Sequence, residues 1–264
     1  MKMSAAYEKR FSGIGRVYGL KGLQNFHNAH VAIIGIGGVG TWVAESLARS
    51  GVGMLTLVDL DEICESNANR QLHTLTSTIG QSKVSAMAER LREISADLKI
   101  NEVLDFYSKS NADQFFETSH RPDVIVDAID SIPSKALLIA KARQAGIPIV
   151  VSGGAGGKKR PDLVRFGDLN QCGADGLLKQ VKRLLKDEYG FTKGQEAWGI
   201  SAVFSAEKSV YPGSDGTVCE VPQSATLRLD CNAGFGSVSM VTGSFGFQLS
   251  YLALEILLND TAHQ

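Results

Sequence analysis

A chain of 264 residues with 44% hydrophobic side chains is long enough to bury a sizeable core, and one α/β domain over 1–264 is expected rather than two small ones. Its 27 basic and 28 acidic side chains nearly cancel, which argues against a global basic field and leaves any nucleic-acid binding to local patches. Cys64, Cys172, Cys219 and Cys231 form no CxxC pair, and the stretch MKMSAAYEKRF has no apolar core of signal-peptide length; a reduced, cytoplasmic protein without a cysteine-pair zinc is expected.

Residues 1–29 form an N-terminal arm with Lys9, Arg10, Arg16 and Lys21 spread among glycines. It reads either as a solvated helix and turn or as an arm that supplies an arginine to a phosphate, whose geometry guanidinium matches. A nucleotide-binding core, 30–157, follows. The apolar run Val31 to Ile34 ends in Gly35, Gly37, Gly38 and Gly40, and a helical pattern with Trp42, Ala44, Leu47 and Ala48 starts at once. Strand, glycine turn and helix bring backbone N–H groups and a positive helix end to a phosphate chain. A second strand, Met54 to Val58, delivers Asp59, 19 residues past Gly40, where a ribose-binding carboxylate belongs.

The next loop is crowded with Asp61, Asn67, Asn69, Arg70 and Gln71, more polar groups than a dehydrogenase half-domain needs. GQSKV then opens a helix with an apolar stripe at Val84, Met87, Leu91 and Ile94. Ser82 as N-cap puts Lys83 in the first turn, where a cation opposes the helix dipole unless an anion lies nearby. A third strand at Ile100 to Leu104 and a weak helix at Asn111 to Phe116 lead to the fourth, Asp123 to Ala128. Its end carries Asp127, Asp130 and Ser131, beside the glycine turn if the strands are neighbours. Asp127 is either a ligand or a cap; Asp130 suits magnesium, which a nucleoside triphosphate carries on one or two carboxylates. A helix, Ser134 to Ala145, returns to a fifth strand, Pro148 to Ser152, left by a flexible Gly153 to Gly157.

The substrate-side and dimer-interface half, 158–264, begins with a strand, LVRFGDL. A helix from Ala174 to Glu188 carries Lys179, Lys182, Arg183 and Lys186 on one face and Leu178, Val181 and Leu185 on another. That basic face is either merely solvated or the first candidate for RNA phosphates. After a strand at Ala202 to Ser205, YPGSDGTVCEVPQ is expected as an irregular loop. The uncharged stretch from Phe235 to Leu254 approaches the length of a membrane span, yet Gly243, Gly246, Gln248 and Ser250 suit a helix packed at a subunit interface better.

GIGGVG, VDLDEICESNANRQ, GQSKV and DAIDS, in this order over residues 10–160, resemble the ATP-adenylating domain of the ubiquitin-activating superfamily. RVYG at 16–19, SGGAGG at 152–157, VYPGSDGTVC at 210–219 and LDCNAGFGS at 229–237 are similar to its tRNA threonylcarbamoyladenosine dehydratase family, nearly end to end. The resemblance implies a Rossmann-like adenylation fold, α/β, with a mostly parallel central sheet extended by partly antiparallel strands. It implies ATP and Mg2+, with a monovalent cation, Na+ or K+, in the Gly153 to Gly157 loop. Gly38, with Gly35, Gly37 and Gly40, would contact phosphates and Asp59 the ribose. Asp61, Asn67, Arg70, Lys83, Asp127 and Ser131 would surround the nucleotide, and Asp130 would hold magnesium. Arg10 would reach the γ-phosphate of a partner subunit's ATP; the second arginine usual three residues later is Gly13 here, so Arg16 is its candidate replacement.

The implied activity is dehydration of N6-threonylcarbamoyladenosine at position 37 of tRNA. The implied partners are tRNA, a second copy in a homodimer and a cysteine desulfurase or sulfur-acceptor system, with no ubiquitin-like protein. Membrane association is not expected. Three rivals stay open at this point. An adenylyltransferase acting on the C-terminal glycine of a ubiquitin-like or sulfur-carrier protein shares every ATP residue, and Cys219 or Cys231 could then carry a thioester. A nicotinamide oxidoreductase leaves Arg70, Lys83 and Asp130 unexplained, and a nucleotide sensor would release no pyrophosphate.

Overall fold

The computed structural model describes residues 3–116, 121–173, 175–213, 216–220 and 235–259. Helix α1 (Ala5–Asn28) is capped by Ser4, which accepts the Tyr7 N–H, and bends at Phe11 and at Gly19, whose φ of 76° ends one helical stretch and starts another. Its Tyr7, Phe11, Leu23 and Phe26 are buried, so the arm is packed on the domain rather than extended from it.

The core alternates strand and helix: β1 (His30–Ile34), α2 (Gly40–Arg49), β2 (Met54–Val58), α3 (Lys83–Ile94), β3 (Lys99–Val103), α4 (Ala112–Phe116), β4 (Val124–Asp127), α5 (Ile132–Ala145) and β5 (Ile149–Ser152). The chain continues with β6 (Val164–Asp168), α6 (Gly176–Glu188), β7 (Ser201–Ser205), β8 (Tyr211–Pro212), β9 (Val218–Cys219) and α7 (Ser239–Asn259). Seven strands join in the order β3-β2-β1-β4-β5-β7-β6, parallel except for the antiparallel edge pair β6 and β7. This is the mostly parallel α/β sheet with an antiparallel extension that the sequence predicts. The inner strands β1, β4 and β5 are mostly apolar and buried because helices cover both faces, whereas edge strand β3 exposes Lys99, Asn101 and Glu102.

One stretch differs from expectation, and the long apolar helix packs inside the chain. The turn-rich segment after β7 holds a short antiparallel ribbon, Tyr211 paired with Cys219 and Pro212 with Val218, separate from the main sheet. Helix α7 is long and apolar enough to cross a membrane by length and composition, yet 61% of its apolar window is buried inside the chain. Phe245, Leu249 and Ala253 lie in the same core as Val43 and Leu47 of α2. The glycines expected at a subunit interface serve this internal contact: a Cβ on Gly246 would stand 2.5 Å from Trp42 Cβ. Each buried side chain of that size contributes ~1.5–3 kcal/mol, so α7 is a core helix, exposing only a stripe with Met240, Phe247 and Tyr251.

Candidate active site

The parallel register carries the ends of β1, β2 and β4 to one edge. Ile34 pairs with Val58 on one side and Asp127 on the other. The turn that follows β1 is tight: Gly35 adopts φ 94°, and a Cβ on Gly40 would lie 1.8 Å from the Gly35 carbonyl oxygen. No residue but glycine fits at 40 without opening the turn. On its other side Gly35 is pressed against the exit of β4, where an added Cβ would meet the Ala128 carbonyl oxygen at 2.9 Å.

Asp59 leaves β2 and locks this turn. Its Oδ2 accepts the Ile36 N–H at 2.7 Å and its Oδ1 the Asp61 N–H at 2.9 Å. Burial pushes the carboxyl above its ordinary value, against the pull of Lys83 and of those two N–H groups. His73 closes the same corner, its Nε2 donating to the Ile36 carbonyl at 3.0 Å, and burial pushes its pKa down to about 4. A neutral imidazole therefore backs the turn.

Above it lies the polar loop. Arg70 passes over Gly38, with Cγ 3.3 Å from where a Cβ would be, and its guanidinium donates to the Ser66 carbonyl and Asn69 Oδ1. Trp42 Nε1 pins the loop by donating to the Arg70 carbonyl at 3.1 Å. Asn67, expected around the triphosphate, is buried and accepts the Cys64 N–H at 3.1 Å, so one of its roles is to cap the short helical turn that presents Arg70.

Ser82 caps α3 as expected, accepting the Ser85 N–H, and Lys83 begins the helix. The conflict between that cation and the helix dipole is relieved within the chain. Lys83 Nζ sits 2.6 Å from Asp61 Oδ2, with the lysine side chain buried and that of Asp61 half exposed. A phosphate entering here meets an ammonium already placed on the side of Asp59.

Asp127 stands beside the glycine turn, but its carboxylate faces inward. It is fully buried, 2.8 Å from the equally buried Lys135 Nζ, and Oδ1 accepts the Ile129 N–H at 3.0 Å. Burial pushes this carboxyl up, opposed chiefly by Lys135. Asp127 thus holds the loop to Ser131, N-cap of α5, which leaves Asp130 exposed on that loop. No ion pair among the described residues involves Asp130, and none of them form a cluster of three metal-binding side chains. A lone free carboxylate fits magnesium that takes its other ligands from phosphates and water.

Sequence reasoning missed Lys135 and His73. Lys135 occupies the apolar stripe of α5 with Leu138, Ile139 and Ala142, all fully buried, and a lysine in such a stripe eight residues after a strand-end aspartate is the signal that points to it. Arg10 is not brought to this site. It donates to the Ile94 carbonyl at the far end of α3, about 17 Å along the helix from Lys83. Arg16 is exposed on the outer side of α1.

The Gly153 to Gly157 loop is a junction rather than a free hinge. Gly153 and Gly157 donate to the Val203 and Gly236 carbonyls, and Gly154 N–H is bound to Asp175 Oδ2 at 3.0 Å. The Gly154 carbonyl of this loop, where the monovalent cation is expected, accepts the Lys158 ammonium. Of the cysteines, Cys64 is exposed, Cys219 lies in β9, and Cys172 is buried with its thiol pushed up to about 11, unsuited to a nucleophile. Cys231 lies outside the described residues, as do 229–234 of the LDCNAGFGS motif.

The sequence profile of the ThiF family matches residues 11–260. The tRNA threonylcarbamoyladenosine dehydratase of Escherichia coli K12 is 42% identical over 265 aligned residues, covering 99% of this chain and 98% of that protein. The corresponding Haemophilus influenzae protein is 40% identical over 91% of this chain and 90% of its own. The crystal structure of the E. coli enzyme in complex with ATP matches this fold with a TM-score of 0.88 at 38% identity, all of both chains covered. The chain belongs to the ThiF family, alongside its tRNA threonylcarbamoyladenosine dehydratases.

Proposed function

We propose that this protein is an ATP-dependent tRNA threonylcarbamoyladenosine dehydratase that activates the threonyl carboxylate of N6-threonylcarbamoyladenosine 37 as an adenylate. What supports the reading is the glycine turn with Arg70 packed over Gly38 and Lys83 paired to Asp61 close to Asp59, with Asp130 exposed on the loop that leaves the neighbouring strand, in a chain similar over its whole length to an enzyme solved with ATP. A carboxylate is a poor electrophile because oxide would have to leave. One of its oxygens attacks the α-phosphorus, the bond to pyrophosphate breaks, and AMP becomes the leaving group. An atom of the substrate's own carbamoyl group then attacks the activated carbonyl, closing a five-membered ring, releasing AMP and a proton. The net change is loss of one water.

In this reading the turn N–H groups and the α2 N-terminus hold the phosphates, while Lys83 and Arg70 stabilise the charge that builds on them. Asp59 shapes the turn and offers its remaining lone pairs to the ribose. Magnesium, held by Asp130, supplies further charge neutralisation when bound. Ring closure is intramolecular, so no second protein nucleophile is required. If Arg10 serves ATP it does so on the nucleotide of a second copy in a homodimer, because within its own chain it is turned to the Ile94 carbonyl. Such a protein works in the cytoplasm, where its tRNA is.

The test is incubation with ATP, magnesium and threonylcarbamoylated tRNA. A nucleoside lighter by one water, with AMP and pyrophosphate formed in step, is expected. Pyrophosphate released only when a ubiquitin-like protein with a C-terminal glycine is supplied would favour the adenylyltransferase instead.

A further inference from the structure

A groove of about 380 Å3 runs along α6, lined by Lys179, Lys182, Arg183, Lys186 and Lys193 with Asp187 as its sole carboxylate. Five cations against one anion converge there in a chain whose net charge is −1. Lys193 comes from the segment after α6, so the clustering is not helix periodicity alone. Two of the five are fixed. Lys182 Nζ donates to the Asn170 and Cys172 carbonyls, and Lys186 stands 5.3 Å over the Trp198 ring. That ring is itself held in place: Asp168 accepts the Trp198, Gly199 and Ile200 N–H groups, and Trp198 Nε1 donates to Thr192. Lys179, Arg183 and Lys193 remain exposed. The Arg183–Asp187 contact, 3.5 Å and largely in solvent, is too weak to keep the guanidinium from another partner.

Helix α6, which bears the groove, starts at the active-site edge. Asp175, the N-cap of α6, accepts the Leu178 N–H with one oxygen and the Gly154 N–H with the other, tying the helix to the loop that leaves β5. From there α6 runs about 18 Å along α5 towards the opposite edge of the sheet, where Lys186 lies over Trp198 near Asp168 and the start of β7.

We propose that this groove docks the phosphate backbone of the tRNA stem adjoining the modified loop. The inference rests on the dehydratase reading. A row of cations along a helix whose N-cap is tied to the loop leaving β5 can neutralise successive phosphates of a stem whose loop reaches the active-site edge, and so fix the register in which the threonyl carboxylate enters. The apolar face of α6 favours RNA over an anionic membrane. Leu178, Val181 and Leu185 are buried against α5 and leave nothing to insert among lipid chains.

The test uses the full chain carrying Lys179→Ala, Arg183→Ala and Lys193→Ala together, which leaves both fixed lysines in place. The KM for tRNA should rise about tenfold or more while kcat and the KM for ATP stay as in the parent. The slope of log affinity for tRNA against log salt should fall by about 2 to 3, the release expected for three lost phosphate contacts. If the triple variant is misfolded by melting temperature, Arg183→Glu alone should still weaken tRNA binding without altering ATP binding. Unchanged tRNA affinity and salt slope overturn the proposal. So does loss of binding to phosphatidylserine vesicles with tRNA binding intact. Direct tRNA binding is measured separately from turnover, so a parent protein that binds tRNA through this groove but dehydrates nothing would sink the dehydratase reading and leave the groove standing.

Discussion

Around the glycine turn, most ionic groups are matched within the chain and at least one member of each match is buried: Asp127 with Lys135, Lys83 with Asp61, Asp59 with two backbone N–H groups. Along α6 the cations outnumber their counter-ions, and those that are fixed lean on carbonyls and an indole rather than on carboxylates. The contrast follows from what each region has to hold. A small, highly charged ligand must meet a site already in shape, and buried charges keep their geometry only when each is paired. A long polyanion supplies its own counter-charge, so its surface can remain unpaired in the free protein.

Substitutions inside the first region should therefore be costly to the fold, and the largest effect belongs to the best-buried pair. Lys135→Met leaves the Asp127 carboxylate uncompensated and should lower stability by ~3–5 kcal/mol in urea unfolding. Asp127→Asn added to it should recover much of that loss. Lys83→Ala should reduce adenylation about 10²–10³-fold in pyrophosphate release, because it removes a positive group from the developing charge on the phosphates. Full activity would remove Lys83 from the mechanism.

Gly40→Ala probes the turn itself. With backbone oxygen only 1.8 Å from the new Cβ, the turn must open; a loss near ~3 kcal/mol and weakened ATP binding by calorimetry are expected. The smallest effect concerns pH. His73 is held neutral, its pKa depressed from 6.5 to about 4, so the unfolded chain takes up a proton that the folded chain refuses. This contribution is complete above pH 6.5 and fades as pH falls towards 4; between pH 7 and 5 it amounts to about 2 kcal/mol. His73→Gln, which keeps a donor for the Ile36 carbonyl, should flatten that part of the stability profile.

Much of the first region is legible in the sequence because its constraints act on the backbone. Gly35 and Gly40 are dictated by a turn no side chain fits, Asp59 by the length of one strand–helix–strand unit, and Lys83 by a cap that fixes where its helix begins. Lys135 and His73 escaped because their roles depend on what three-dimensional packing leaves buried next to them. The Phe235 to Leu254 stretch is legible only in part for a related reason. Apolarity and small residues mark a helix with close neighbours, but whether the neighbour is α2 or a second subunit is decided by the path of the chain. Arg10 shows the same limit, since its distance from Lys83 depends on how the arm docks against α3.

The central claim is that the threonyl carboxylate attacks the innermost phosphorus of ATP, and isotope transfer tests it most directly. Threonylcarbamoylated tRNA labelled with oxygen-18 in that carboxylate, incubated with the protein, ATP and magnesium, should yield AMP carrying one labelled oxygen. Unlabelled AMP, or label appearing in inorganic phosphate alongside ADP, would contradict it.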